Sequence, residues 1–267
     1  MKLKQILLAA ILINLSYGKQ SLELSLIGNK FDYKEYNNQN QEIDSESSNY
    51  NDLYGINGVY TININKSKIG LSIDYLKGST TYKGSTWGGD SLELNEKNVK
   101  LINANLFIDC ELFYDTIEDN YGYLYLSTGL GYRYWDRGKS DYSGDYNEKY
   151  YWPYYFIGFK LEDTFHNKYS IGIYTTYQKA INPKMHADLG NGITYNLGKT
   201  SGYKIEIPVK YYISHNYGIK LSYIINYWKI NKSDTQTITL NNQQIKTLEP
   251  DSKTKNKFIS LGIFYNF

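Results

Sequence analysis

For most of its length this chain places an apolar side chain at every second position, with polar or small residues between. Ile69, Leu71, Ile73 and Tyr75 alternate with Ser72 and Asp74; Ile102, Ala104, Leu106, Ile108, Cys110 and Leu112 alternate with Asn103, Asn105, Asp109 and Glu111. Side chains of an extended strand point to opposite faces with a period of two, so each run predicts a strand with one apolar and one polar face. Equivalent runs begin at Leu22, Tyr54, Leu124, Tyr151, Tyr169, Tyr203, Ile219 and Ile259, which makes about ten strands. Between them, 37–49, 78–97, 136–148, 181–201 and 231–255 read as long polar loops, and 65–68, 115–120, 166–167 and 215–216 as tight turns. Long and short connections alternate. That order predicts an antiparallel up-and-down sheet whose even strand number returns the C-terminus to the side where the first strand starts.

Aromatic residues sharpen the picture. Tyrosine alone supplies 31 of the 267 residues, and rings gather at both ends of the runs. Trp135, Trp152, Trp228, Tyr134, Tyr150 and Tyr203 mark the loop side; Tyr114, Tyr121, Phe165, Tyr169, Tyr217 and Phe267 mark the turn side. Two girdles around an aliphatic band suit a bilayer. No internal run approaches the ~20 apolar residues of a membrane helix, which excludes a helical bundle but not a barrel. The competing expectation is a secreted soluble barrel or sandwich with the same faces buried between sheets. Pro208 is a misfit, since it lacks a donor for the ladder, and is expected to mark a bulge or to end the eighth strand early. Cys110 is the only cysteine, so no disulfide forms within the chain; it reads as a small apolar strand residue.

The chain is expected to comprise a leader, 1–18, and a barrel, 19–267. Lys2 and Lys4 give the leader its basic start, Ile6 to Leu15 its apolar stretch and Ser16-Tyr17-Gly18 a small-x-small cleavage site. Lys+Arg 29 against Asp+Glu 27 becomes a formally neutral mature chain once Lys2 and Lys4 are removed, which gives no reason to expect a nucleic-acid partner. The last strand places Ile259, Leu261, Ile263, Tyr265 and Phe267 on one face and ends on an aromatic. This ending resembles the C-terminal assembly signal of bacterial outer-membrane β-barrels. The resemblance implies a transmembrane, up-and-down β-barrel in the outer membrane, inserted by the outer-membrane assembly machinery acting on the strand that ends in Phe267. A monomer is the default expectation.

The inward faces collect Glu23, Asp74, Asp109, Glu111, Glu162 and Glu206 against Arg133, Lys160, Lys204, Lys210 and Lys220. Such charges need partners when buried, so the interior reads as a salt-bridged plug or, alternatively, as a narrow polar pathway. On the loop side, Trp87-Gly88-Gly89-Asp90 and Glu93 lie in the second loop, and His186-Ala187-Asp188 in the fourth. With ten strands, this placement resembles the omptin family of outer-membrane proteases, in which carboxylates and a histidine activate water across the barrel mouth. The resemblance implies His186 as a general base oriented by Asp188, with Asp90 opposite. The order here is His-x-Asp where the family has Asp-x-His, and the second loop lacks a closely spaced aspartate pair. The expectation is therefore a non-enzymatic structural, surface-interaction or narrow-pore barrel, with an omptin-like endopeptidase as the alternative. Lysines and arginine at the loop ends, among them Lys77, Arg137, Lys229, Lys253 and Lys255, suit lipopolysaccharide phosphates in addition to the surrounding lipid. No spacing of His, Cys and carboxylates suggests a metal, and no motif suggests a cofactor.

Overall fold

A computed structural model describes residues 19–85, 89–240 and 243–267. The expected leader, 1–18, lies outside the described residues, as do Trp87 and Gly88. Fifteen strands follow in order: β1 (Gln20–Tyr36), β2 (Glu42–Ser47), β3 (Leu53–Ile64), β4 (Ser67–Ser85), β5 (Ser91–Ile117), β6 (Asn120–Asp136), β7 (Glu148–Phe165), β8 (Tyr169–Ala180), β9 (Lys184–Ala187), β10 (Ile193–Asn196), β11 (Thr200–Tyr212), β12 (Tyr217–Ile230), β13 (Gln236–Leu240), β14 (Gln243–Thr247) and β15 (Asp251–Asn266). Ten of them close a ring of antiparallel neighbours, β1-β3-β4-β5-β6-β7-β8-β11-β12-β15, and β15 pairs back onto β1. The remaining five are short arms at the loop end. There β2 bridges β1 and β4, β9 and β10 extend from β7, and β13 and β14 form a hairpin of their own.

Period-two alternation dictates what faces outward. Leu24, Leu26, Ile56, Leu71, Ile73, Leu106, Leu130, Ile157, Phe159, Ile171, Leu221, Leu261 and Ile263 are all exposed. So large a belt of aliphatic surface is stable only against hydrocarbon. A closed sheet also pairs its backbone donors and acceptors between strands, as hydrocarbon demands. The turn-side aromatics Tyr114, Phe165, Tyr169, Tyr217 and Phe267 border the belt and are exposed as expected. Tight turns are made by Asn65, Glu118, His166 and Asn167, all at positive φ.

Three expectations are corrected. First, several polar stretches read as loops are strand: β1 to β2 is closed by a short turn, β4 runs to Ser85, and β5 starts at Ser91. Lys68, assigned to a turn, lies in β4 with its ammonium 4.4 Å from the Tyr125 ring centre inside the barrel. The ring strands outrun the apolar belt at the loop end, so polar composition there marked the solvated outer face and not a loss of strand. Second, Trp135, Trp152, Trp228 and Tyr150 are fully buried inside the barrel and do not belong to the loop-side girdle. Above the belt water lies outside, so the interior becomes the apolar side. Third, Pro208 neither bulges nor ends β11. It pairs with Ser222 of β12, while on the β8 side pairing stops at Glu206↔Tyr174 and resumes in the same register at Val209↔Ile171. The ring sits against Gly172, where an added Cβ would lie 3.2 Å from Pro208 Cγ.

Candidate functional site

Within the belt the barrel interior is polar. Lys220 Nζ lies 2.8 Å from Glu23 and 3.3 Å from Glu206; Lys210 Nζ lies 3.4 Å from both Glu23 and Glu162. Lys204 pairs with Glu206 at 3.1 Å and Lys160 with Asp109 at 2.7 Å. Asp74 accepts from Asn57 Nδ2 at 2.7 Å and Asn103 Nδ2 at 3.3 Å, and Glu111 reaches Lys66 at 4.0 Å. Apart from Lys66 at its turn, these charges are among the inward ones expected from the sequence; Arg133, also expected, donates from Nη1 to Asn103 Oδ1 at 3.1 Å. All of them but Arg133, Glu111 and Lys66 line a cavity of about 280 Å³.

A layer of rings caps that cavity. Phe31, Tyr33 and Tyr150 pack on Trp135 at centroid separations of 4.9, 4.9 and 4.6 Å, and Trp152 and Tyr154 pack on Trp228 at 5.3 and 5.2 Å. Leu53, Leu76, Val99 and Leu101 fill the layer, and all of these side chains are buried. Rings offset or edge-on at such distances gain packing beyond plain area burial.

Beyond the rings, at the loop end, opens a second cavity of about 550 Å³, lined in part by Glu35, Asp44, Glu96, Arg137, Glu148 and Glu249. Its floor is a hydrogen-bonded carboxylate cluster. Glu35 projects inward from the upper end of β1, five strand residues beyond the outward-facing Lys30 and so outside the apolar belt. Glu46 comes from β2, Glu148 from the start of β7 and Glu249 from the segment between β14 and β15. Arg137 Nε donates to Glu46 at 2.6 Å, its Nη1 pairs with Glu148, and Thr80 Oγ1 donates to Glu46 at 2.6 Å. Gly138 lets the chain turn there: at φ 75° an added Cβ would sit 2.0 Å from the Lys97 carbonyl oxygen. Tyr33 Oη lies 2.7 Å from Glu35, 3.0 Å from Tyr150 Oη and 3.2 Å from Glu249. Tyr150 Oη lies 2.5 Å from Glu249 and 3.1 Å from Glu148.

Electrostatics follow from this crowding. Burial and the neighbouring Glu148 push the Glu35 carboxyl up to about 8. Burial, Glu35 and Glu148 hold Glu249 well above its ordinary value. Glu96 is pushed up to about 8 by burial and Asp145, and Glu46 is raised by burial against the pull of Arg137. Burial opposes the charge of Arg137, yet Glu148 and Glu46 hold it well above the usual guanidinium range.

The expected catalytic residues stand elsewhere. His186 Nε2 is 3.3 Å from Asp188 Oδ1, and His186 Nδ1 is 3.0 Å from Thr194 Oγ1, so two of the three come together. They lie on the outward face of β9 and its end, since Met185 and Ala187 are the residues turned inward and buried. Asp188 also reaches Lys149 of β7 at 3.8 Å. Asp90 is exposed just before β5, and β5, β6, β7 and β9 are successive neighbours. The histidine and its aspartate therefore look away from the cleft. The described residues include no group of three or more His, Cys, Asp or Glu placed to hold a metal ion. Sequence reasoning missed Glu35, Glu148 and Glu249 and assigned Glu46 and Arg137 to solvated loop ends. The available signal was the parity of β1, which continues without a break from Glu23 to Phe31, Tyr33 and Glu35.

A closed antiparallel sheet with an apolar belt outside and paired charges inside is a transmembrane β-barrel. Comparison with solved structures finds this fold in bacterial outer-membrane proteins. The chain is similar to the outer membrane protease OmpT from Escherichia coli, with 12% identity, a TM-score of 0.59, and coverage of 93% of this chain and 97% of that one. Weaker likenesses include OprG from Pseudomonas aeruginosa (9% identity, TM-score 0.41, 94% and 96% covered) and Ail of Yersinia pestis (10% identity, TM-score 0.37, 94% and 99% covered). At such identities the likeness is one of fold alone. No family model and no curated relative matches the chain.

Proposed function

We propose that this outer-membrane barrel is a non-enzymatic surface-binding protein, and that its extracellular cleft takes a cationic group such as the guanidinium or ammonium of a basic peptide. The observation that carries this reading is the buried carboxylate excess at the cleft floor. Glu35, Glu46, Glu148 and Glu249 are all buried, and Arg137 is the cation that reaches two of them. Lys246 stands on the wall, as do Asp44, Glu96 and Asp145. A buried carboxyl without a counter-charge stays protonated because its charge is costly, so an incoming cation meets groups that can ionise and pair with it. Tyr82, Tyr142, Tyr146 and Tyr195 add ring faces suited to a cation. The ring layer beneath supports binding at the surface over passage through the barrel.

The test is titration of the purified protein, in detergent micelles, with an acetylated and amidated hexa-arginine peptide and its hexa-glutamate counterpart. Binding of the basic peptide alone, with the peptide recovered intact, is expected. Cleavage of the peptide that disappears in His186→Ala would replace this reading with the endopeptidase alternative. Planar-bilayer recording of the same preparation is expected to show no discrete conductance.

Two partners belong to the same proposal. On the outward face just above the belt, Lys30 pairs across from Lys257, and Lys34 and Lys229 both pair across from Lys253. Like charges directly opposite on neighbouring strands repel, and lipopolysaccharide phosphates would relieve them. Phe267, exposed and donating its backbone N–H to the Gln20 carbonyl at 2.8 Å, ends the strand offered to the assembly machinery. Deleting Phe267 is expected to lower the folded yield in cells while refolding in detergent is unchanged.

A further inference from the structure

We infer that the extracellular cleft exchanges protons for its cation: an entering guanidinium or ammonium drives acidic hydrogens off the carboxyl groups that meet Tyr33 and Tyr150. The inference rests on the proposal that the cleft binds cations, and deepens it. In each exchange a carboxylic O–H bond breaks, the proton passes to water or buffer, and the carboxylate left behind pairs with the ligand's positive charge.

Hydrogen counting carries the argument. Five oxygen–oxygen contacts join Tyr33 and Tyr150 to each other and to Glu35, Glu148 and Glu249, at 2.7, 3.0, 3.2, 2.5 and 3.1 Å. Each needs one hydrogen, and the two hydroxyls have one each. Arg137 cannot supply the rest, because its described bonds run to Glu46 and to Glu148. Protons on Glu35 and Glu249 bring the supply to four, enough for every contact but one. Without them, unshielded oxygen lone pairs would face one another in a buried space.

A second, separate observation points into the cleft. Glu96, only 3% exposed, lines the cavity from the upper end of β5, and its Oε2 has no hydrogen-bond partner among the described residues. A buried carboxyl oxygen without a partner, on a residue that lines the cavity, is a ready acceptor for a donor-rich cation.

The charged and titratable groups facing this site come from every wall. They are Tyr33 and Glu35 on β1, Asp44 and Glu46 on β2, and Tyr82 on β4. Glu96 on β5, Arg137 and Asp145 between β6 and β7, and Glu148 and Tyr150 on β7 continue the circuit. Tyr142 and Tyr146 between β6 and β7, Tyr195 on β10, and Lys246 and Glu249 at and after β14 complete it. Acids outnumber bases on each side of the cleft except at Arg137 and Lys246. The raised values of Glu35 and Glu96, about 8, agree with protons being held near neutral pH.

The sign follows. Below pH 6 the acids hold their protons and oppose a cation; toward pH 8 the exchange becomes easy. Affinity is therefore expected to rise with pH, by up to about tenfold per pH unit for each proton released. Arginine side chains do not titrate in this range, and the capped peptide has no amino terminus, so any proton comes from the protein.

The experiment is calorimetric titration of the whole protein with the hexa-arginine peptide at pH 7, in HEPES and in Tris, whose ionisation enthalpies differ. The expected result is a buffer-dependent heat corresponding to at least about half a proton released per peptide, with tighter binding at pH 8 than at pH 6. Binding with identical heats in both buffers and no pH dependence overturns the exchange and leaves the cation reading standing. No binding at all overturns both. The double variant Glu35→Gln/Glu249→Gln mimics the protonated form, and is expected to bind several-fold more weakly at pH 8 and to release fewer protons. Undiminished release from this variant overturns the assignment to these two carboxyls. Heat-modified gel mobility checks that it folds, and Glu42→Gln on the exposed edge of β2 is the control that leaves the heats unchanged.

Discussion

On β1, Leu22, Leu24 and Leu26 face outward while Glu23 and Ser25 face inward; a few residues further, Lys30, Asp32 and Lys34 face outward while Phe31 and Tyr33 face inward. The strand keeps one parity throughout. What changes is the location of water. Beside hydrocarbon the interior is the wet side and collects ion pairs; beyond the lipid the exterior is wet, and the interior packs rings as a soluble core does. One barrel thus holds two differently stabilised halves, and the cleft acids sit on top of the drier one.

The comparison can be broken most severely in the ring layer. Trp135→Ala removes the ring that Phe31, Tyr33 and Tyr150 all touch. A loss of about 3–5 kcal/mol is expected, read as a lower transition temperature in heat-modified gel shifts, together with conductance that the parent lacks. In the wet half, Lys220→Met leaves Glu23 and Glu206 without their shared ammonium. A cost of about 3 kcal/mol is expected, and adding Glu23→Gln should return part of it. A lumen that instead tolerated the single change would be open and hydrated.

The cleft offers a pH-dependent effect. Glu35 carries a folded value raised to about 8 from an unfolded value near 4.5. A raised carboxyl favours the folded state below the unfolded value, and that contribution disappears as pH rises through the folded one. Ligand-free protein is therefore expected to lose stability progressively between pH 4.5 and 8, and Glu35→Gln should flatten the profile. The smallest effect belongs to the outer face. Replacing Lys253, Lys255 and Lys257 by serine is expected to remove about 1 kcal/mol of stabilisation by lipopolysaccharide, measured against phosphatidylcholine vesicles lacking it.

How much of this was legible in the sequence follows the same boundary. Strand number, connection order, the exposed belt and the inward Glu23, Asp109, Glu162, Glu206, Lys210 and Lys220 are local consequences of period-two alternation, and they could be read directly. The upper half was not, because Lys30, Asp32 and Lys34 outside β1 look like the approach to a loop when only apolar alternation is sought. Trp135 and Trp228 were assigned to a girdle for the same reason: position near a strand end does not tell which face a ring takes. The cluster of Glu35, Glu148 and Glu249 joins residues far apart in the chain, and only closure of the barrel brings them onto two tyrosines. His186 and Asp188 do meet, as an i, i+2 pair on one strand face must be able to, but parity turns that face outward.

The exchange of wet and dry sides can be measured along β1. In a Cys110→Ser background, single replacements by cysteine at Leu24, Leu26, Lys30, Phe31, Asp32 and Lys34 would be probed on intact cells with a membrane-impermeant maleimide. The account predicts protection at Leu24 and Leu26, labelling at Lys30, Asp32 and Lys34, and protection again at Phe31. Labelling at Phe31 with protection at Lys30 and Asp32 would contradict it.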